Sequence, residues 1–263
     1  MTDFSDLFIF NDQDMVKDEL DCVAKQNLEL FEDSIKVAIV DLEKKYNDHC
    51  DEMYKASEEL QTIRTAQIKE ENKTLECEQE CIDSIHQLSD KHQTHYIESY
   101  WLNQQLSSLA EMQIINLFKN IEINIKTLIK IAYPKVSHKE LYRWDSLVQF
   151  FLSKSINVKK LEGYADIINL KDLNNSLKHS GVVSDNIKNI KEFEDFADYN
   201  FVNLINFYER IKSIVPEFLS GLANEIKNDL FNFTDEKIIE IANEYKLRMN
   251  EDDLKSFIEK LNV

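Results

Sequence analysis

Apolar residues in the first part of the chain recur at intervals of three and four. The clearest series begins at Leu28, passes through Ile35 and Leu42, and continues more loosely to Ile63. This spacing is typical of an amphipathic or coiled-coil helix and differs from the alternation of a β-strand. The positions between the apolar residues are mostly polar and acidic, as on a helix side that faces water. The pattern therefore predicts a long N-terminal helical hairpin or coiled coil over residues 1–94.

A denser apolar pattern follows and predicts a compact helical bundle. Its first helix is predicted from about His95 to Ala132, because Pro134 then interrupts the helical pattern. Its second helix is predicted to begin near Ser137, since Glu140 follows at the spacing of a capping box.

The third helix of the bundle is predicted from about Tyr164 to Lys178. A linker that contains Gly163 precedes it. Ser180 and Gly181 follow it, and a glycine at that place can adopt the left-handed conformation that closes many helices.

The fourth helix is predicted from about Asn189 to Ile214, with Pro216 as its end. The remaining segment, residues 216–263, is predicted to form two or three short amphipathic helices. Thr234 precedes one of them and is the expected N-cap residue.

Glycine and proline are scarce in this chain, with three and two copies among 263 residues. Average usage would give roughly 18 glycines and 13 prolines. Hairpin-rich β folds and doubly wound α/β folds need glycine for their turns and phosphate loops. The spacing of the three glycines also excludes the P-loop, the dinucleotide-binding fingerprint and the nucleophile elbow of serine hydrolases. The sequence therefore predicts an all-α protein.

Charge is distributed unevenly along the chain. The formal net charge is −18, from 49 acidic and 31 basic residues. Residues 1–100 hold 25 acidic and 10 basic residues, whereas residues 101–263 hold 24 and 21. Such a balance argues against binding DNA or RNA by bulk charge. It favours a protein partner for the acidic part, or a role of that part as a mimic of nucleic acid on a basic surface. Together with the apolar pattern, it predicts three segments: 1–94, 95–215 and 216–263.

The cysteines and the absence of a targeting signal give an expectation for the compartment. Four cysteines occur in a long chain without a secretory signal, so reduced thiols are expected. No apolar run reaches the roughly 18 residues of a transmembrane helix. We expect a cytoplasmic protein that does not enter a membrane.

Cysteines and histidines near the boundary between segments 1–94 and 95–215 are candidate zinc ligands. Cys77 and Cys81 are one helical turn apart, and His86, His92 and His95 follow. Their spacing matches no compact zinc motif, and cysteines at this spacing on an acidic helix are more often packing residues. The sequence therefore predicts neither a metal site nor a cofactor.

One short polar segment carries most of the functional information. Asn174 and Asn175 lie near the end of the third predicted helix, and His179 is one turn after Asn175 on the same face. Lys171 and Lys178 belong to the same helix. A purely structural interpretation is also open, because a histidine in the last turn of a helix interacts favourably with the helix dipole.

This segment resembles the signature of the HEPN superfamily (higher eukaryotes and prokaryotes nucleotide-binding domains). That family is a four-helix bundle whose motif has an arginine, often an asparagine beside it, and a histidine a few residues later. Here Asn175 and His179 match the asparagine and the histidine, whereas Asn174 stands where the arginine is expected. The helix order and the segment from Leu117 to Leu128 are also similar to the family's first helix.

The resemblance implies a metal-independent ribonuclease that acts as a homodimer, with two motifs facing one RNA cleft. His179 would be the general base, since the ordinary pKa of histidine lies near neutrality, with Asn175 and Asn174 beside it. Lys171 and Lys178 would bind the RNA phosphate. An arginine is the usual cation for that task, and an asparagine brings no charge.

Three functions therefore stay open at this point. The first is a ribonuclease of a bacterial antiviral defence or toxin–antitoxin type of system, acting through His179 and Asn175. The second is a non-catalytic HEPN-like scaffold that binds a protein partner through residues 1–94. The third is a helical adaptor unrelated to the family.

Overall fold

The computed structural model describes residues 12–25, 29–69, 75–137, 141–179, 183–194 and 198–261. Within these ranges every regular element is a helix, and no strand occurs. The prediction of an all-α protein is confirmed. The α-helices are α1 (Asp12–Ala24), α2 (Glu29–Lys69), α3 (Leu75–Ala132), α4 (Trp144–Ser153), α5 (Tyr164–His179), α6 (Asp185–Lys188), α7 (Phe201–Phe231), α8 (Asp235–Arg248) and α9 (Glu251–Leu261). Short 3₁₀ turns occupy Val158–Lys160 and Lys191–Phe193.

The chain divides into two compact units, each discontinuous in sequence. The first is formed by residues 1–24, 127–158 and 220–263, and the second by residues 25–126 and 159–219. The predicted division into segments 1–94, 95–215 and 216–263 stays a prediction.

An antiparallel helical hairpin is the most extended feature of the second unit. His49 Nδ1 on α2 lies 2.9 Å from His95 Nδ1 on α3. One turn further along α2, Glu52 Oε2 lies 2.8 Å from Lys91 Nζ. Residue numbers rise along α2 as they fall along α3, so the two helices run in opposite directions. The predicted helical hairpin is thereby confirmed, and it is built by α2 and the first half of α3.

The start of the first bundle helix is a correction to the sequence analysis. The helix was expected to begin near His95, but α3 begins at Leu75 and continues without a break to Ala132. Neither glycine nor proline occurs within those 58 residues. No helix-breaking residue therefore ends the helix where the charge composition of the chain changes. The predicted end of this helix before Pro134 is confirmed.

The helix after Pro134 begins later than expected. It was predicted to start near Ser137, but α4 begins at Trp144. The residue before it, Arg143, has an extended backbone and makes no side-chain capping bond. The expected capping partner Glu140 lies outside the described residues. Buried Leu147 and Phe151 show that core packing, and not a capping side chain, stabilises this helix.

The last bundle helix differs most from its prediction. It was expected from Asn189 to Ile214, but the long helix α7 runs from Phe201 to Phe231 and contains Pro216 in its interior. Before it, the described residues form the single-turn helix α6 and a 3₁₀ turn. Pro216 is exposed, while Val215, Phe218 and Leu219 near it are buried. Burial of these neighbours outweighs the helix-breaking tendency of the proline.

Two smaller predictions are confirmed. The third predicted helix corresponds to α5, which ends one residue later than expected, at His179. The expected C-terminal residues Ser180 and Gly181 lie outside the described residues. Thr234 is the N-cap of α8, where its side chain accepts a hydrogen bond from the backbone N–H of Lys237.

Partly buried polar contacts join the helices of the first unit. Tyr133 donates a hydrogen bond of 2.6 Å to Asp229 Oδ2. Burial raises the pKa of Tyr133 far above its ordinary value, and the bond to Asp229 adds to that shift. Lys237 donates to the backbone carbonyl of Asp229, and Lys227 Nζ lies 2.6 Å from Asp21 Oδ1. These contacts connect α1, α7 and α8 with the residue that follows α3.

Within the described residues, no helix is both long and apolar enough to cross a membrane.

Candidate functional site

Helix α5 carries the polar motif and is fixed in the second unit by its apolar side. Ile167, Leu170 and Leu173 are fully buried and recur every three residues. The helix starts directly after Gly163, whose φ of 77° lies in the left-handed region that favours glycine. A Cβ atom at this position would overlap the side chain of Ile214 on α7. Gly163 thus permits the close approach of the start of α5 to α7.

The motif residues do not share one surface. Asn175 and His179 are both exposed on α5, and Lys178 is exposed beside them. Asn174, by contrast, is only 1% exposed. Successive helical residues are rotated by about 100° from one another, so the two neighbouring asparagines point in different directions. The structure brings Asn175 and His179 to one exposed region, whereas Asn174 lies beneath it, buried and in contact with Asn175.

The side chain of Asn174 is buried and makes a hydrogen bond within α5. Its amide nitrogen donates a hydrogen bond of 3.2 Å to Asn175 Oδ1. Its own Oδ1 is buried and accepts no hydrogen bond from the part of the chain that the structure describes. A phosphate in solvent cannot reach an amide that is enclosed in this way. The residue at the position of the family's arginine therefore faces the core of the second unit.

The two lysines of the motif differ in their surroundings. Lys171 Nζ lies 3.2 Å from Asp172 Oδ1, and the lysine side chain is 24% exposed. Lys178 is exposed near the end of α5. The neighbouring carboxylate partly neutralises Lys171, so Lys178 is the better placed of the two to meet an anion near His179.

A polar cluster beside α5 was not found from the sequence. Tyr199 Oη donates a hydrogen bond of 2.8 Å to Ser176 Oγ, and Glu111 of α3 acts on Tyr199 through its charge. Burial raises the pKa of Tyr199; the bond to Ser176 opposes this, and the charge of Glu111 adds to it. Burial also raises the pKa of Glu111. Titratable groups shifted by burial are frequent at functional sites.

The sequence did hold one signal for that cluster. Glu111 is the single charged residue between positions 99 and 118, where the other polar side chains of α3 are uncharged. A half-buried carboxylate needs a compensating contact, so its position is a signal. Its neighbour Tyr199 could not be inferred, because the two residues are far apart in sequence.

Arg210 of α7 contacts α5, but its charge is paired with two carboxylates. Arg210 of α7 forms two hydrogen bonds with Glu192, of 2.7 Å from Nε and 3.1 Å from Nη2, and its Nη1 donates to Asp166 of α5. Two carboxylates therefore surround one guanidinium. Arg210 is a link between α5, α7 and the 3₁₀ turn before α7, and it does not replace the missing motif arginine as a phosphate ligand.

Cysteines and histidines of α3 are the candidate zinc ligands of the sequence. Among the described residues, no three His, Cys, Asp or Glu side chains converge as metal ligands would. His95 is paired with His49 across the hairpin, a contact that the sequence did not reveal. Cys81 is half-buried on α3, and the side chain of Cys77 lies outside the described residues.

Two open grooves lie away from the motif. One, of about 660 Å³, follows α2 from Glu58 to Ala66. The other, of about 450 Å³, lies between Leu42 of α2 and the part of α3 from Trp101 to Leu109. Neither groove is lined by a residue of α5.

No protein-family model, no curated protein and no solved structure matches the chain.

Proposed function

We propose that the chain is a cytoplasmic, non-catalytic helical scaffold with a HEPN-like bundle, which binds a protein partner through the hairpin of α2 and α3. The observation that carries this proposal is the burial of Asn174. The residue at the position of the family's arginine is enclosed in the second unit, and Arg210, which contacts the same helix, is paired with two carboxylates.

Cleavage of RNA without a metal needs positive charge beside the reacting phosphate. Loss of such stabilisation commonly lowers the rate about a hundredfold or more. Near His179 the motif offers Lys178 and the partly neutralised Lys171. A lysine supplies charge but not the two parallel hydrogen bonds of an arginine. The geometry around His179 is therefore better suited to a structural or binding role than to catalysis.

The hairpin has the properties of a surface that binds a basic protein. Helix α2 carries ten acidic and six basic residues over its 41 positions. Most of its charged side chains from residue 36 onwards are exposed, Glu58 and Glu59 among them. An acidic surface attracts a partner of opposite charge and speeds the encounter between the two proteins.

Purified protein is the direct test of the non-catalytic assignment. We expect single-stranded RNA to stay intact with the full chain, and we expect His179→Ala to behave identically. His86→Ala is a matched control, because His86 is an exposed histidine of α3 that lies outside the motif. RNA cleavage that is lost in His179→Ala and retained in His86→Ala would contradict the scaffold and support the ribonuclease.

The partner-binding role is tested by reversing charge on the hairpin. The tagged full chain is co-expressed with the product of the adjacent gene, and the amount recovered with it is measured. We expect Glu58→Lys with Glu59→Lys to lower recovery several-fold, and we expect added salt to do the same. Glu240→Lys with Glu259→Lys, a pair of exposed acids on α8 and α9, is the matched control. Equal losses in both double variants would argue against a site on the hairpin.

The second candidate is the dimeric RNA-cleaving enzyme of a defence or toxin-type system. The observation that favours it is the common exposure of Asn175, Lys178 and His179 at the end of α5. In that case two copies would face each other at this helix end. Expression toxicity that disappears in His179→Ala would support this candidate.

A further inference from the structure

The middle of α3 is unusual because its exposed positions carry no charge. Charged residues make up 30% of the chain, which would give about six among the 20 residues from 99 to 118. Only Glu111 is present there. A helix that is solvated on one side normally carries charges on that side. The lack of charge indicates that something other than water covers this part of α3.

The exposed side chains of this segment form one continuous stripe. Ile97, Trp101, Gln105, Ser108 and Met112 follow each other at spacings of three and four, so they lie on one helix face. Trp101 is 57% exposed, Ile97 45% and Met112 40%, and the two polar members are exposed as well. We call this stripe the 97–112 face. It is about 22 Å long at 1.5 Å per residue.

Trp101 has the features of an interface anchor. Its ring contacts that of Tyr100 edge-on, with the centroids 5.5 Å apart, so the two aromatic side chains support each other on the surface. The groove of about 450 Å³ between the helices begins beside it and continues to Ser108 and Leu109. Tryptophan and tyrosine are enriched among the residues that contribute most to binding.

We infer that the 97–112 face is the interface between two copies of this chain, packed antiparallel across a two-fold axis between Gln104 and Gln105. Residues equally far from that axis would then meet. Trp101 of one copy would face the small Ser108 of the other, beside the groove, and Ile97 would face Met112. A large side chain opposite a small one gives the self-complementary contact that a two-fold interface requires.

Charged residues at the two ends of the face select this orientation. Asp90 and Lys119 are both exposed, and both continue the stripe at its helical spacing. They are also equally far from the proposed axis. The antiparallel arrangement brings each Asp90 to the partner copy's Lys119, whereas a parallel arrangement would place like charges opposite each other.

A second copy fits this face better than the basic partner of the acidic hairpin. The 97–112 face offers no carboxylate for a basic protein to contact. It also brings two chains of net charge −18 together through uncharged side chains, and salt screens the repulsion between the acidic side chains around them. This interface goes beyond the proposed function and does not depend on it.

The test is the oligomeric state of the full chain, measured by sedimentation over a wide concentration range. We expect a dimer for the native chain and a rise of about thirtyfold or more in its dissociation constant for Trp101→Ala. Ser108→Glu, which places a charge opposite Trp101, is expected to have a similar effect. Tyr142→Ala removes an aromatic side chain that is 81% exposed elsewhere, and it should leave the dimer unchanged.

A charge exchange tests the antiparallel register. Asp90→Lys and Lys119→Asp are each expected to weaken the dimer about three- to tenfold, and the double variant should restore it. Helix content by circular dichroism shows that each variant is folded. A native chain that stays monomeric at its highest soluble concentration would overturn the interface. So would a dimer that is insensitive to Trp101→Ala, or a double variant that is no better than the single ones.

Discussion

Replacing Arg210 with methionine is expected to lower the free energy of unfolding by about 2 to 3 kcal/mol. The guanidinium of Arg210 holds Glu192 on the 3₁₀ turn and Asp166 at the start of α5. Methionine keeps much of the apolar stem but leaves both carboxylates without their cation. The Glu192 side chain is only 11% exposed, so water can compensate for little of that loss. Because the arginine itself is 31% exposed, we expect a loss somewhat smaller than that for a fully buried pair, which is about 3 to 5 kcal/mol.

Arg248→Met is the matched control for this loss. Arg248 pairs with Glu244 one turn earlier on α8, and its side chain is 73% exposed. Exposed pairs of this kind contribute well under 1 kcal/mol, so its unfolding midpoint in urea should barely move. Similar losses in the two variants would contradict the role of Arg210 as the link between α5 and α7.

The Arg210 cluster also predicts a dependence on pH. Burial alone would raise the pKa of Glu192, but the hydrogen bonds and charge of Arg210 outweigh it, and the net shift is downward. Glu192 therefore binds a proton more readily in the unfolded chain than in the folded one. The stabilisation by the Arg210–Glu192 pair is present above about pH 4.3, the ordinary pKa of glutamate, and it is lost as the pH falls through the lower pKa of the folded chain. The difference in stability between the native chain and Arg210→Met should therefore shrink below pH 4. A constant difference across that range would contradict the assignment.

Features that depend on short stretches of sequence were largely predictable. The period of the apolar residues predicted the helical hairpin, and the positions of Gly163 and Gly181 predicted α5 to within one residue at its end. These successes rest on helix periodicity and on the scarcity of glycine and proline, both of which act locally. The start of α3 was missed for the same reason, because a change in charge composition does not interrupt a helix.

The contacts that define the candidate site could not be predicted in this way. Arg210 meets residues that are 18 and 44 positions away, and the charge of Glu111 on α3 acts on Tyr199, just before α7. Such pairs depend on how the helices pack, which no local pattern encodes. The burial of Asn174, however, can be predicted from the sequence. It follows the buried Ile167 by seven residues, which is two helical turns, so it lies on the same inner side.

Pro216→Ala is expected to stabilise the chain by about 2 kcal/mol. A proline in a helix interior costs about 3 kcal/mol relative to alanine, because it lacks the N–H and crowds the preceding turn. Up to about 1 kcal/mol of that is offset, since proline also restricts the unfolded chain. Pro216 is exposed, and the helix around it is fixed by buried Val215 and Leu219, so alanine should fit without disturbing the core.

The measurement is urea unfolding followed by circular dichroism, with Pro134→Ala as the control. Pro134 lies in the turn after α3, where no helix needs its N–H, so its replacement should bring no gain. A loss of stability in Pro216→Ala would mean that the packing of α7 requires the bend that proline imposes. A gain would show that burial of the apolar stripe alone keeps α7 helical through Pro216, which is why the proline did not mark the helix end that its sequence position suggested.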